Sequence, residues 1–139
     1  MKGYDVARTI EAASQQVWDI LTDAAGYTSW DSGVVRVEGT IAAGSKIKVF
    51  SEISPGRAFP VKVSLDAPRQ MVWTGGMPLG LFKGVRTFTL SSSNDGQTDF
   101  RMQEEFTGPL LKLIWRTMPD LTDSFEQFAS GLKQEAEGS

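Results

Sequence analysis

Apolar side chains recur at every second position through the middle of the chain, at Val35 and Val37, at Ile47, Val49 and Ile53, and at Phe59, Val61, Val63 and Leu65. That spacing predicts strands with one face on a core. Gly39–Gly44, Ser54–Ala58 and Asp66–Arg69 carry the turn residues between them. Further strands are expected at Tyr4–Ile10, Gln70–Thr74, Phe82–Leu90 and Thr98–Thr107. Helical spacing appears twice. Val17, Trp18 and Leu21 form one stripe, with Ser14 the expected N-cap and a second short helix or turn carrying Tyr27 and Trp30. Phe125, Phe128, Ala129, Leu132 and Ala136 form another stripe, in a rod of about 17 residues and roughly 25 Å. Pro109 can open a helical segment before it, and Pro119, lacking an N–H, should break that segment. The order is strand, two short helices, six strands, long helix.

Between Met71 and Leu90 the pattern is interrupted by Gly75, Gly76, Pro78, Gly80 and Gly84. Glycine lets a sheet bend sharply and lets backbones approach. The connection bearing Met77, Leu79, Leu81 and Phe82 is therefore expected to be an adjustable rim, covering a cavity mouth, touching a membrane or partner, or packing on the last helix.

Register can be read from the last hairpin. With Asn94-Asp95-Gly96 as a three-residue loop, Ser93 faces Gln97, and Leu90 pairs with Phe100, Phe88 with Met102, Arg86 with Glu104 and Gly84 with Phe106. The apolar members mark the inner face, so Arg86 and Glu104 are predicted to point inward together. Two readings stay open. The charges form a self-neutralising buried pair, or Arg86 offers a planar donor array to a ligand oxygen with Glu104 orienting it. Alternation sends Glu105 outward, which weakens any two-carboxylate catalyst. The two tyrosines, Tyr4 and Tyr27, lie far from the final strands in sequence.

Composition narrows the chemistry. The 139 residues suit one domain spanning 1–139. With no histidine and no cysteine, Ser-His-Asp triads, thiolate nucleophiles, disulfides and cysteine- or histidine-held zinc are excluded. The net charge of -3 argues against nucleic acid. No apolar run is long enough for a membrane span, and the N-terminus lacks a secretory pattern, so a cytoplasmic protein is expected. The glycine-rich connection lacks the Gly-Lys-Ser/Thr ending of a phosphate loop. No cofactor and no metal are expected.

The stretches "EAASQQVWDILTDAAGYTSWDSGVVRVEG", "GSKIKV", "PRQMVWTGG", "DGQTDFRMQEEFTG" and "FEQFASGLKQEAE" resemble the START-like (SRPBCC, polyketide cyclase/dehydrase) superfamily from about Tyr4 to Glu137. The resemblance implies an α+β helix-grip fold: a seven-stranded antiparallel sheet wrapped around the C-terminal helix, two short helices after the first strand, and an apolar cavity between sheet and helix. It implies binding of a small hydrophobic molecule, such as a lipid or polyketide-like compound. A cofactor-independent cyclase/aromatase and a protein- or membrane-interaction adaptor are the alternatives. The expected lining is Trp30, Val49, Phe59, Val61, Val63, Met71, Trp73, Phe88, Met102, Phe125 and Phe128, with Arg86 and Glu104 as ligand contacts and candidate catalytic groups. Asp31 is expected to cap a turn or to gate the site.

Overall fold

The computed structural model describes residues 2–94 and 96–138. Its seven strands are β1 (Lys2–Ile10), β2 (Val34–Glu38), β3 (Lys46–Ser51), β4 (Ser54–Asp66), β5 (Gln70–Gly76), β6 (Lys83–Asn94) and β7 (Gln97–Thr107). All neighbours are antiparallel, in the order β1-β7-β6-β5-β4-β3-β2. Helix α1 (Ser14–Thr22) and a 3-10 turn (Ala25–Ser29) follow β1; α2 (Leu111–Trp115) and α3 (Thr122–Glu137) follow β7. This is the helix-grip architecture: a curled sheet holding α3 in its concavity.

The buried stripe of α3, Phe125, Phe128, Ala129, Leu132 and Ala136, is the one its periodicity predicts. It meets the inward rows of the sheet, where Ile10, Val63, Met71, Phe88, Phe100 and Met102 are almost fully buried. Polar latches fix the rod on the β1 side. Arg8 donates to Glu126 and to Ser130 Oγ, Lys133 Nζ to the Thr9 carbonyl at 2.8 Å, and Gln16 Nε2 to the Ala136 carbonyl at 2.8 Å. On the other side α3 presses on the segment after the 3-10 turn. A Cβ on Gly131 would stand 2.0 Å from the Asp31 carbonyl oxygen, so only glycine permits that approach.

Several local expectations are corrected. Ser14 is the first helical residue rather than the N-cap; Ala13 occupies that place, and Ser14 Oγ bonds Ser92 and Thr98 instead. The "SPGRA" segment lies inside β4, and the chain turns earlier, at Glu52–Ile53, leaving Ile53 outside the strands and exposed. An irregularity between Val34 and Arg36 directs Val34 and Val37 to the core and leaves Val35 exposed. Between β6 and β7 the positions sum to 190 from Lys83 to Ser92, as the register reading requires. At the tip Asn94, not Ser93, pairs with Gln97, one residue bulging, while Asp95 of the expected loop lies outside the described residues.

Candidate functional site

Antiparallel register places residues of five strands in one row across the concave face. Val63 of β4 stands opposite Trp73 of β5, Trp73 opposite Arg86 of β6, Arg86 opposite Glu104 of β7, and Glu104 opposite Tyr4 of β1. Directly opposed residues share a face. The row therefore presents an indole, a guanidinium, a carboxylate and a phenol side by side. Tyr4 is remote from the final strands in sequence, and pairing of the first strand with the last brings its hydroxyl to them.

Arg86 Nε and Nη2 each lie 2.7 Å from Glu104 Oε1. The pair is partly buried, at 24% and 13% side-chain exposure, so it is neither sealed in the core nor in bulk water. Two neighbours shape it. The Arg86 guanidinium carbon lies 4.7 Å from the centre of the Phe125 ring, a cation–π contact with α3. The second carboxylate oxygen of Glu104 occupies space that a Cβ on Gly84 would approach to 2.9 Å, so the missing side chain there gives Glu104 its place. Arg86 Nη1 has no partner among the described residues and remains a donor for an incoming oxygen. Tyr4 stacks on Phe125 at 5.1 Å, and its hydroxyl accepts the Leu121 N–H at 3.2 Å.

Deeper in, the rings close into a cluster. Tyr27 lies 5.5 Å from Trp30 and 6.1 Å from Trp73; Phe128 lies 5.2 Å from Trp30 and 5.8 Å from Phe88; Trp73 meets Phe88 edge-on at 4.9 Å. Tyr27 donates to the Leu21 carbonyl at 2.6 Å, and burial pushes its phenol far above the usual range, with the Arg86 charge pulling the other way. Its proton is held in that hydrogen bond inside the core. The indole N–H groups of Trp30 and Trp73 are both buried without a hydrogen-bond partner. A buried polar group in that state costs about 1–3 kcal/mol.

The other expected lining residues divide. Val63, Met71 and Met102 are fully buried beneath the rings, and Phe125 roofs the ion pair. Val49 is buried and Val61 half-buried on the β3–β4 wall, whereas Phe59, next in that row, is 39% exposed. Asp31 bonds to α3 rather than to a turn: its Oδ1 accepts Gln127 Nε2 at 2.7 Å. The hollows differ from the expected internal cavity. One cleft of about 450 Å³ lies among Ala7, Thr9, Thr89, Ser91 and Arg101 on β1, β6 and β7; another of about 290 Å³ lies among Tyr4, Trp115, Met118, Pro119 and Asp120. The space between sheet and α3 is largely taken up by the aromatic cluster.

Residues 1–137 match the family described as polyketide cyclase / dehydrase and lipid transport. Among solved structures, the aromatase/cyclase Zhui from Streptomyces superposes with a TM-score of 0.75 at 13% identity, over 98% of this chain and 93% of that one. A START superfamily protein from Mycobacterium smegmatis gives 0.70 at 17% identity, over 98% and 97%. At these identities the likeness is one of fold. No curated protein matches the sequence.

Proposed function

The chain belongs to the polyketide cyclase/dehydrase and lipid transport family, and from that premise we propose that it binds a small, mostly apolar molecule bearing oxygen acceptors, on the concave face between sheet and α3. The observation that carries this reading is the pair of buried indole N–H groups on Trp30 and Trp73, left without partners, both packed on Tyr27 and the second opposite Arg86 in the sheet. Three donors with unused capacity in an otherwise apolar wall suit a ligand whose rings or chain replace side-chain contacts and whose oxygens accept the N–H groups. Such a ligand enters where Phe59, Val61 and Arg86 approach solvent. It makes room by moving Trp30, the partly buried member of the cluster.

The second reading is catalytic, and Tyr4 favours it. A phenol opposite Glu104 supplies a proton-bearing group next to a guanidinium that could steady a developing enolate, as a cofactor-independent cyclization requires. Binding ranks first because Tyr4 stacks on Phe125 three strands from Trp73 in the row, away from the unpaired indoles.

The test is titration with a hydroxyanthraquinone, followed by tryptophan quenching. The variant Arg86→Met/Glu104→Gln removes the guanidinium without stranding a carboxylate. It should bind about tenfold or more weakly, the loss expected for one charge-assisted hydrogen bond. A wild-type protein that takes up no such compound, or a double variant that binds it equally well, rejects the reading. Turnover of an added poly-β-ketone, absent in Tyr4→Phe, would promote the catalytic alternative.

A further inference from the structure

We propose that the end of the sheet formed by residues 77–83 and 108–119 docks on an anionic lipid bilayer. The proposal rests on surface features and stands independently of the ligand reading above. Leu79 is 96% exposed, Met77 43% and Leu113 64%, the three largest exposures of bulky apolar side chains among the described residues. Leu79 also has a φ of 61°, left-handed backbone that leucine adopts unfavourably, and Gly80 continues it at 67°. A leucine held in strained backbone and surrounded by water gains nothing from the folded chain itself.

The two segments form one surface. Met77 N–H bonds the Phe82 carbonyl at 2.7 Å, and Leu110 N–H bonds the Leu81 carbonyl at 3.0 Å, seating the start of α2 on the loop. Gly108 permits that contact, since a Cβ there would lie 2.5 Å from the Leu81 oxygen. Between them the segments carry Lys83, Lys112 and Arg116 and no aspartate or glutamate, in a chain whose net charge is -3. None of the three cations has a carboxylate partner among the described residues. Of the acidic groups near these segments, Asp120 accepts the backbone N–H and hydroxyl of Thr122 and Glu104 is held by Arg86, while the exposed Glu105, opposite Val85, is the carboxylate adjoining Lys83 in register and leaves Lys112 and Arg116 as the unanswered cations.

Charge complementarity selects the occupant. Exposed aliphatic tips ringed by long unpaired cations suit an interface with acyl chains below and phosphates beside them, the apolar stems lying along the boundary. A neutral protein groove would leave the two charges unanswered. The surface adjoins the strand ends near Arg86, so a docked protein would face the bilayer with the mouth of its concave face.

Sedimentation with phosphatidylcholine vesicles, with and without about 30% phosphatidylglycerol, tests this at about 20 mM and about 500 mM salt. Wild-type protein should bind the anionic vesicles at low salt and bind neutral vesicles, or any vesicles at high salt, about tenfold less. Leu79→Ser should weaken anionic binding about tenfold and Lys112→Glu/Arg116→Glu about a hundredfold, with circular dichroism unchanged because these side chains are exposed. Absent binding, equal binding to neutral vesicles, or unchanged binding by both variants overturns the proposal. So does a concentration-dependent dimer that Leu79→Ser abolishes, which would assign the rim to a second copy of the chain.

Discussion

Replacing Trp73 by phenylalanine separates a functional indole from one that merely fills the core. Trp73 is 3% exposed and meets Phe88 at 4.9 Å, so an ordinary view makes the change costly. The volume lost is about 40 Å³, worth about 1 kcal/mol at roughly 24 cal/mol per Å³ of cavity. Against it, the variant removes a buried N–H without a partner, whose burial costs about 1–3 kcal/mol. With about 1 kcal/mol more for the lost transfer of the removed apolar atoms, Trp73→Phe should lie between about 1 kcal/mol less stable and about 1 kcal/mol more stable than wild type. Urea denaturation followed by far-ultraviolet circular dichroism gives the difference. Binding should move the other way: affinity for a hydroxyanthraquinone falls about three- to tenfold, the worth of one neutral hydrogen bond, while a hydrocarbon of like shape binds unchanged. A loss of about 2 kcal/mol or more would mean that the N–H is already satisfied and that the stated balance is wrong. Equal weakening toward both probes would make Trp73 a packing residue only.

Two further outcomes are expected. Gly131→Ala should destabilise the fold by about 2–4 kcal/mol in a thermal melt despite alanine's better helix propensity, because the new methyl meets the Asp31 carbonyl backbone; Gly56→Ala, where nothing lies within 4 Å, serves as the silent control. In acid, Asp5 is held below its ordinary value by its hydrogen bond from Arg101, and Glu137 by the Glu11 N–H and then Lys133. A depressed folded-state pKa contributes stability that is complete above the unfolded values of 3.8 and 4.5 and is lost as pH falls through the folded ones. Urea midpoints measured from neutral pH downward should therefore decline below about pH 5, and Asp5→Asn should flatten that decline. An unchanged slope in Asp5→Asn would deny the Arg101 clamp any role in acid stability.

The architecture was legible because alternation and helical spacing persist over long runs, and one hairpin register was enough to set Arg86 against Glu104 across two strands. Tyr4 was not legible in the same way. Its partner strand is the last of the sheet, and no local signal in β1 tells which edge it joins. The early turn at Glu52–Ile53 escaped because "SPGRA" carries the stronger turn chemistry, yet that proline and glycine sit where β4 extends past the end of β5 and has no second neighbour to satisfy. Trp30 and Trp73 were recognisable as large amphipathic rings. That their N–H groups lack partners is a property of packing, which spacing does not encode. The filled interior has the same origin: a count of apolar residues cannot distinguish rings that surround a space from rings that occupy it.

Because β1 completes the sheet by joining β7, the polar row takes its phenol from the first strand and its carboxylate from the last. A ribosome must therefore deliver nearly the whole domain before those groups can meet, and partial chains emerging earlier expose an unpaired edge along β7's place in the sheet. Competence to take up a guest thus arrives in one late event of synthesis rather than strand by strand, and any fusion or circular permutation that delays the β1–β7 seam should delay that competence with it.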